Sequence, residues 1–208
     1  PTMASLVPRV CELLQHHYIA DVDRRIAEGV DPAEAEAAAK THMYEKTIGG
    51  RLVSVGCGSA ALAPETYEFM EDMLGFHMPI GYSSTEIVGG TVTVDWKVQR
   101  PPVIDYKLRD VPELGYFSTD KPYPRGELLV KTERFMVGYY KRPDLTAEKV
   151  DADGFYATGD VMMEIEPDHI VFVDRCNNVI KLSQGEFVAI SKLEALYMHH
   201  PKIRQIYI

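Results

Sequence analysis

Apolar residues recur about every fourth position near the start of the chain, at Leu6, Val10, Leu14, Tyr18, Val22 and Ile26. A repeat close to the helical period is typical of an amphipathic helix, so we predict one over residues 5–28. A second helix is predicted from Asp31 to about Lys46, because Asp is a good N-cap and the following Pro32 suits the first turn. We expect both helices to be scaffold packed against a sheet.

Shorter apolar runs after residue 50 predict strands. Residues 51–55 lead into the glycine-rich segment 56–61 and then into a helix that begins at Pro64. Three further strands are predicted at residues 91–94, 103–108 and 126–130, separated by turn clusters as in a small β-barrel. The succession of helices and strands indicates an α/β fold.

The later part of the chain is predicted to form a β-hairpin. An alternating apolar run begins at Asp160, breaks at Pro167 and Asp168, and then returns. We expect Asp160 at a strand edge, Arg175 at the end of the returning strand and Lys181 on a neighbouring loop. A carboxylate can accept hydrogen bonds from ribose hydroxyls and the two cations suit phosphate oxygens, so these three side chains could hold a nucleotide.

A hydroxyl and a carboxylate stand side by side at Thr85 and Glu86, after a short run that predicts a strand. Such oxygen ligands suit Mg²⁺ held between a protein and a substrate phosphate. The same residues also fit a turn that only caps the next helix, and the pattern alone leaves both interpretations open. The glycine-rich turn between the strand and the helix of residues 51–74 could likewise bind a ligand. It could also be an ordinary turn, because glycines are common at the ends of strands.

Composition narrows the class of protein. The chain has 208 residues, of which 46% are apolar and 25% charged, as in ordinary globular proteins. A formal net charge of −9 argues against a nucleic-acid partner. The sequence contains no run of about eighteen apolar residues, so no membrane span is predicted. Cys11, Cys57 and Cys176 are odd in number and far apart, which favours reduced thiols in a cytoplasmic protein.

Three segments carry recognisable motifs. Residues 81–86 read Gly-Tyr-Ser-Ser-Thr-Glu, residues 156–160 read Tyr-Ala-Thr-Gly-Asp, and residues 174–181 read Asp-Arg-Cys-Asn-Asn-Val-Ile-Lys. They resemble the Gly-Tyr-Gly-x-Thr-Glu, Tyr-Arg-Thr-Gly-Asp and Gly-Arg-x-x-x-x-Ile-Lys motifs of adenylate-forming enzymes, the superfamily of acyl-CoA ligases and luciferases. The sequence of residues 173–187 matches a narrower group of proteins, because it resembles the adenylation domain of bacterial carboxylic acid reductases.

The resemblance implies a partial adenylate-forming fold, in which helices and strands precede a small β-barrel and the start of a C-terminal subdomain. Residues 1–174 would be the later part of the large adenylation subdomain, with an α/β part at 1–90 and a β-barrel-like part at 91–174. Residues 175–208 would be the hinge and the truncated start of the small subdomain.

The resemblance also implies roles for individual residues. Tyr82 would stack on adenine, Thr85 would touch the phosphate, and Glu86 would hold the metal ion. The catalytic residues would be Thr85, Glu86 and Lys181, and Lys181 would act in the second half-reaction. The nucleotide contacts would be Ser59, Ile80, Gly81, Tyr82, Thr85, Asp160, Phe172, Val173, Asp174, Arg175 and Lys181.

The implied parent enzyme activates a carboxylic acid with ATP and Mg²⁺ to acyl-AMP. A phosphopantetheine thiol on a carrier domain of the same protein then takes the acyl group, and NADPH reduces the thioester to an aldehyde. The family's phosphate-binding loop and second lysine match no segment here, so we expect the chain alone to be inactive and to bind neither phosphopantetheine nor NADPH. Two alternatives remain open: part of a stand-alone acyl-CoA or acyl-AMP ligase, and a non-catalytic module that binds a nucleotide or a partner.

Overall fold

Two compact units make up the computed structural model, which describes residues 1–88, 90–181, 184, 187–198, 203 and 206–208. The first unit is Pro1–Ser83 and the second is Ser84–Ile208. The domain boundaries predicted at residues 90 and 174 rest on the resemblance and stay a prediction.

The first unit combines three parallel strands with helices. Strand β1 (Met3–Leu6) is followed by helix α1 (Pro8–Ala27), helix α2 (Pro32–His42) and a π-helical turn at Met43–Thr47. Strand β2 (Ser54–Gly58), helix α3 (Pro64–Leu74) and strand β3 (Ile80–Tyr82) complete the unit. Strand β2 lies between β1 and β3 and pairs with both in parallel. The strand predicted at residues 51–55 begins three residues later, at Ser54, and continues through Gly56 to Gly58.

Local sequence explains where the helices begin. Asp31 caps α2, because its Oδ1 accepts a hydrogen bond from the Ala33 N–H at 3.0 Å, and Pro32 occupies the first turn. Helices α1 and α3 also begin at a proline. Proline suits the first turn because it lacks the amide hydrogen that would have no partner within the helix there. Among the described residues, no helix is both long and apolar enough to cross a membrane.

Side chains from α1, β2, α3 and the loops beside them form the core of the first unit. Its buried members are Cys11, Leu52, Val55, Cys57, Met70, Leu74 and Met78. The Sγ atoms of Cys11 and Cys57 lie 4.0 Å apart within it. Burial raises the pKa of both thiols, that of Cys11 to about 12, so they pack at neutral pH as uncharged side chains.

Antiparallel strands dominate the second unit. They are β4 (Thr93–Val94), β5 (Lys97–Val98), β6 (Val103–Arg109), β7 (Arg125–Thr132), β8 (Tyr156–Glu166) and β9 (His169–Arg175). They neighbour one another in the order β4-β5-β9-β8-β7-β6. Helix α4 (Pro143–Lys149) precedes β8. Strands β10 (Val179–Lys181) and β11 (Phe187–Ala189) form a separate antiparallel pair, and helix α5 (Ile190–Met198) follows them.

The structure confirms the β-hairpin and corrects the position of one site residue. Strands β8 and β9 are its two arms, Pro167 and Asp168 lie in its turn, and Arg175 ends β9 as predicted. The expectation that Asp160 stands at a strand edge is wrong. Strand β8 begins at Tyr156, so Asp160 lies inside it, between β7 and β9. The break in alternation before Asp160 marks an irregularity within the strand, not its beginning.

The close approach of β2 and β3 requires Gly58. A Cβ atom there would lie 2.6 Å from the Gly81 carbonyl oxygen, whereas one at Gly56 would lie 3.7 Å from its nearest neighbour, the Pro79 carbonyl oxygen. We expect Gly58→Ala to force the strands apart and lower the free energy of unfolding by about 1–3 kcal/mol. Denaturant unfolding followed by circular dichroism measures this, with Gly56→Ala as the matched control. Equal effects of the two substitutions would contradict the prediction.

Candidate functional site

The predicted site residues of the first unit lie where two parallel strands end side by side. Gly58 at the end of β2 pairs with Gly81 of β3, which also contains Ile80 and Tyr82. Ser59 follows directly, exposed to solvent and with a φ of +79° that turns the chain out of the sheet. Ligands commonly bind at the carboxyl ends of parallel strands. The fold thus gathers these predicted contacts at one place.

Hydroxyl groups surround Glu86 in the second unit. The Tyr139 hydroxyl donates a hydrogen bond to Glu86 Oε1 at 2.8 Å. Tyr156 of β8 and Ser84 lie near this carboxylate and help to lower its pKa. The Met136 N–H donates to the Glu86 carbonyl oxygen at 2.9 Å. The segment after β7 therefore holds both the carboxylate and the backbone of Glu86.

Burial and these hydrogen bonds shift the pKa of Glu86 in opposite directions. Burial is the largest single effect and raises the pKa, whereas the hydroxyl donors stabilise the ionised form. Together the donors prevail and hold the pKa of Glu86 below its ordinary value. Burial raises the pKa of Tyr139 and of Tyr156, and the hydrogen bond to Glu86 raises that of Tyr139 further, so both tyrosines remain protonated at neutral pH.

Glu86 offers oxygen ligands to a metal ion without forming a complete cage. Its side chain is partly exposed, and the neighbouring Thr85 is exposed. Within the part of the chain that the structure describes, no group of three or more His, Cys, Asp or Glu could hold a metal ion. Mg²⁺ is usually bound by one or two carboxylates together with substrate phosphates and water. An ionised carboxylate beside a hydroxyl therefore fits Mg²⁺ that arrives with a nucleotide.

The Thr-Gly-Asp motif forms a bulge in β8. Three residues of β8 lie there opposite a single residue of β7, Leu128. The Thr158 hydroxyl donates to the Leu128 carbonyl oxygen at 2.9 Å, and Gly159 has a φ of +78°, which glycine adopts without strain. On its other side β8 remains paired with β9, so that Asp160 stands opposite Arg175. A bulge of this kind changes the direction of a side chain.

At this bulge the structure brings two predicted residues into contact. Arg175 Nε lies 3.1 Å from Asp160 Oδ1; the carboxylate is 8% exposed and the guanidinium 63%. Phe172 and Val173, also predicted as contacts, are partly buried in β9. Asp174 is buried, and its Oδ1 accepts a hydrogen bond from the Arg175 N–H at 2.8 Å. An exposed cation thus neutralises a nearly buried carboxylate.

The structure places the backbone of Lys181 in a strand pair separate from β8 and β9, and not on the loop that was predicted. Its backbone ends β10, which pairs with β11 through Lys181 and Phe187. Its side chain lies outside the described part of the structure. The predicted role of Lys181 therefore stays a prediction.

Sequence reasoning missed the side chains that hold the Glu86 carboxylate and the β8 bulge. Tyr139 lies 53 residues after Glu86, and Glu127, which accepts a hydrogen bond from the Gly159 N–H, lies 32 residues before that glycine. No local spacing rule reaches so far along the chain. One signal was present for Glu127: it is a charged residue directly before the apolar run at residues 128–130 of a predicted strand.

Comparisons with known proteins identify the family and the fold. A family model described as "AMP-binding enzyme" matches residues 1–140. The carboxylic acid reductase of Segniliparus rugosus is 54% identical over 207 residues, a match that covers 99% of this chain and 17% of that protein. The adenylation domain of that reductase, solved with AMP and a co-purified carboxylic acid, gives a TM-score of 0.86 and covers 99% of this chain and 32% of that one. Its didomain of adenylation and carrier domains, solved with AMP, also gives 0.86 and covers 99% of this chain and 28% of that one.

The chain belongs to the AMP-binding enzyme family, whose model matches well over half of its residues. Within that family it is similar, over almost its whole length, to part of the adenylation domain of carboxylic acid reductases. These findings confirm the resemblance and the α/β, partial adenylate-forming fold predicted from the motifs. The chain spans less than a fifth of the curated reductase and about a third of the solved domain.

We expect Tyr139→Phe to destabilise the protein more at neutral pH than at about pH 3. The folded-state pKa of Glu86 is depressed, so this group contributes stability above its unfolded-state pKa of about 4.3 and loses the contribution as the pH falls through the folded-state value. Loss of the Tyr139 hydroxyl should cost about 1 kcal/mol at pH 7 and less in acid. Thermal unfolding across this pH range measures the difference.

Tyr140→Phe is the matched control, because this neighbouring tyrosine is 86% exposed. It should leave the unfolding temperature nearly unchanged at every pH. A loss for Tyr139→Phe that is the same at pH 7 and pH 3 would contradict the assigned origin of the Glu86 shift.

Proposed function

We propose that this chain supplies nucleotide contacts to an enzyme that activates a carboxylic acid with ATP and Mg²⁺, forming acyl-AMP. The observation that carries the proposal is the contact of Asp160 with Arg175 at the β8 bulge, 3.1 Å between charged atoms. Membership of the AMP-binding family supports it. The similarity to an adenylation domain solved with AMP and a co-purified carboxylic acid supports it further.

Asp160 accepts hydrogen bonds from the ribose hydroxyls in this proposal, and Arg175 binds a phosphate oxygen. Before the nucleotide binds, Arg175 neutralises the nearly buried carboxylate. Because its guanidinium is largely exposed, Arg175 can turn to the ligand, and the ribose hydroxyls then satisfy Asp160. The exchange avoids leaving a buried charge without hydrogen bonds, which would be costly.

Glu86 would hold the magnesium ion, and the Thr85 hydroxyl would touch a phosphate. Bound Mg²⁺ would supply positive charge that neutralises the nucleotide phosphates. Tyr139 orients the Glu86 carboxylate, and Tyr139 and Tyr156 stabilise its ionised form. These neutral hydroxyls stabilise Glu86 without cancelling its charge.

The remaining predicted contacts complete the proposal by resemblance. In the first unit these are Ser59, Ile80, Gly81 and Tyr82, the last stacking on adenine; in the second they are Phe172, Val173 and Asp174. Lys181 would serve the later transfer of the acyl group to a phosphopantetheine thiol on a carrier domain. Reduction with NADPH would follow in the parent enzyme, which we place in the cytoplasm. We further propose that the chain alone is inactive, since it spans about a third of the solved adenylation domain.

A stand-alone acyl-CoA or acyl-AMP ligase would share the first step and end at a thioester or an adenylate. A non-catalytic module would bind a nucleotide or a partner and release no pyrophosphate. Product analysis of the complete protein with ATP, a carboxylic acid, coenzyme A and NADPH separates these functions. An aldehyde supports the reductase, and acyl-CoA with no aldehyde supports the ligase.

Asp160→Ala should weaken AMP binding to the complete adenylation domain by about 1.5–3 kcal/mol, the range for a hydrogen bond that involves a charged group. The reason is the loss of the ribose acceptor. Calorimetric titration with AMP measures it, with Asp153→Ala as the control because Asp153 is an exposed turn residue of the same segment. Wild-type affinity in a folded Asp160→Ala protein would return Asp160 to a structural role.

Lys181→Ala should leave acid-dependent ATP–pyrophosphate exchange largely intact and slow acyl transfer to the pantetheine thiol. The physical reason is that Lys181 follows the predicted hinge, so a rotation there would move its charge relative to the nucleotide. Exchange and single-turnover transfer assays of the complete protein measure the two steps. The control is Lys121→Ala, in an exposed loop. An equal loss in both steps would make Lys181 a general nucleotide contact, and no loss would make it a surface residue.

A further inference from the structure

The β8 bulge interrupts the hydrogen-bond ladder, and its backbone groups find other partners. The Gly159 N–H donates to Glu127 Oε1 at 3.1 Å. The Gly159 carbonyl oxygen accepts from the Cys176 N–H at 2.8 Å, and the Asp160 N–H donates to Thr158 Oγ1 at 3.1 Å. Of these three bonds, the one to Glu127 comes from a side chain on another strand. Glu127 therefore fastens the bulge to β7.

The placement of Glu127 in β7 suits this contact. Its side chain is only 9% exposed, and a buried carboxylate is costly unless it is paired and hydrogen-bonded. Arg109 of β6 meets that need, since its Nε donates to Glu127 Oε2 at 3.1 Å while Oε1 takes the Gly159 N–H. Gly126 lets β6 come close, because a Cβ atom there would lie 2.5 Å from the Arg109 carbonyl oxygen.

We infer that Glu127, oriented by Arg109, is a positioning residue for nucleotide recognition: its bond to Gly159 holds the bulge that presents the Asp160 carboxylate to the ribose hydroxyls. The inference rests on the proposed function, in which Asp160 is the ribose contact. Side chains in a strand alternate between its two faces, so the direction of Asp160 depends on how the bulge is held. The contacts run across three neighbouring strands, from Arg109 through Glu127 and Gly159 to Asp160.

A purely structural role for Glu127 predicts something different. A buried ion pair is often no more stabilising than an apolar pair of similar size, so stability alone is a weak reason for a carboxylate here. If Glu127 only stabilised the sheet, its loss would weaken all nucleotides equally or lower the unfolding temperature alone. If Glu127 positions Asp160, its loss should lower the affinity only for ligands that carry ribose hydroxyls.

Calorimetric titration of the complete adenylation domain with AMP and with 2′,3′-dideoxy-AMP distinguishes the two roles. The wild-type protein should bind AMP about 10- to 100-fold more tightly than the dideoxy nucleotide. Glu127→Ala should reduce this preference at least about five-fold and change the affinity for 2′,3′-dideoxy-AMP by less than about two-fold. In an Asp160→Ala background, Glu127→Ala should remove no further preference, since both act through the same carboxylate.

Two conservative variants and one control sharpen the result. Glu127→Gln retains an oxygen acceptor for the Gly159 N–H and should keep most of the preference. Arg109→Ala leaves that acceptor in place without its guanidinium partner and should lose part of the preference, which also covers the case that Glu127→Ala does not fold. Glu133→Ala removes an exposed carboxylate just beyond β7 and should change neither affinity.

The outcomes separate the inference from the proposed function. A wild-type protein that binds AMP and 2′,3′-dideoxy-AMP equally would overturn the ribose role of Asp160 and, with it, the inference. A wild-type preference that survives in Glu127→Ala, or in Arg109→Ala where the former does not fold, would overturn the inference and leave the proposed function standing. Equal weakening of both nucleotides would assign Glu127 a structural role and likewise overturn the inference.

Discussion

The hydrogen bond from the Gly159 N–H to the Glu127 carboxylate is the constraint on which the β8 bulge, the proposed nucleotide contact of the second unit, depends. Strand β8 has more residues at this point than β7 can pair with, so an amide is left over. A buried amide without a partner costs about 1–3 kcal/mol. Glu127 removes that cost but brings a charge into the sheet, and Arg109 then offsets the charge. The Thr-Gly-Asp motif is thus held by a set of contacts that spans three strands.

Local pattern predicted those elements whose identity depends on near neighbours in the chain. Helix α2 was readable because Asp31 and Pro32 both act within its first turn. The hairpin was readable because alternation resumes after Pro167 and Asp168. Alternation failed at Asp160 because a bulge inserts residues without ending the strand, so the interruption looked like a strand start. Whether such a break is a boundary or a bulge is decided by β7, which lies far away in sequence.

The same limit explains how much of the site could be predicted. Asp160 and Arg175 were found because both belong to segments whose motifs can be read directly, and the hairpin register places them opposite each other. The residues that orient the carboxylates, Tyr139 for Glu86 and Glu127 for the bulge, come from 53 and 32 residues away. Their roles follow from tertiary packing. A motif indicates the roles of its own residues only, so it could not predict these distant partners.

Three carboxylates in the second unit are satisfied in three different ways, and each way suits a different task. The donors described around Glu86 are neutral hydroxyls, which orient it but leave its negative charge available to a cation. Asp160 is neutralised by Arg175, whose exposed guanidinium can be exchanged for the hydroxyls of a ligand. Glu127 divides its oxygens between Arg109 and the backbone of the bulge. That division gives Glu127 a fixed set of partners inside the protein, so it fits a supporting role better than direct contact with a ligand.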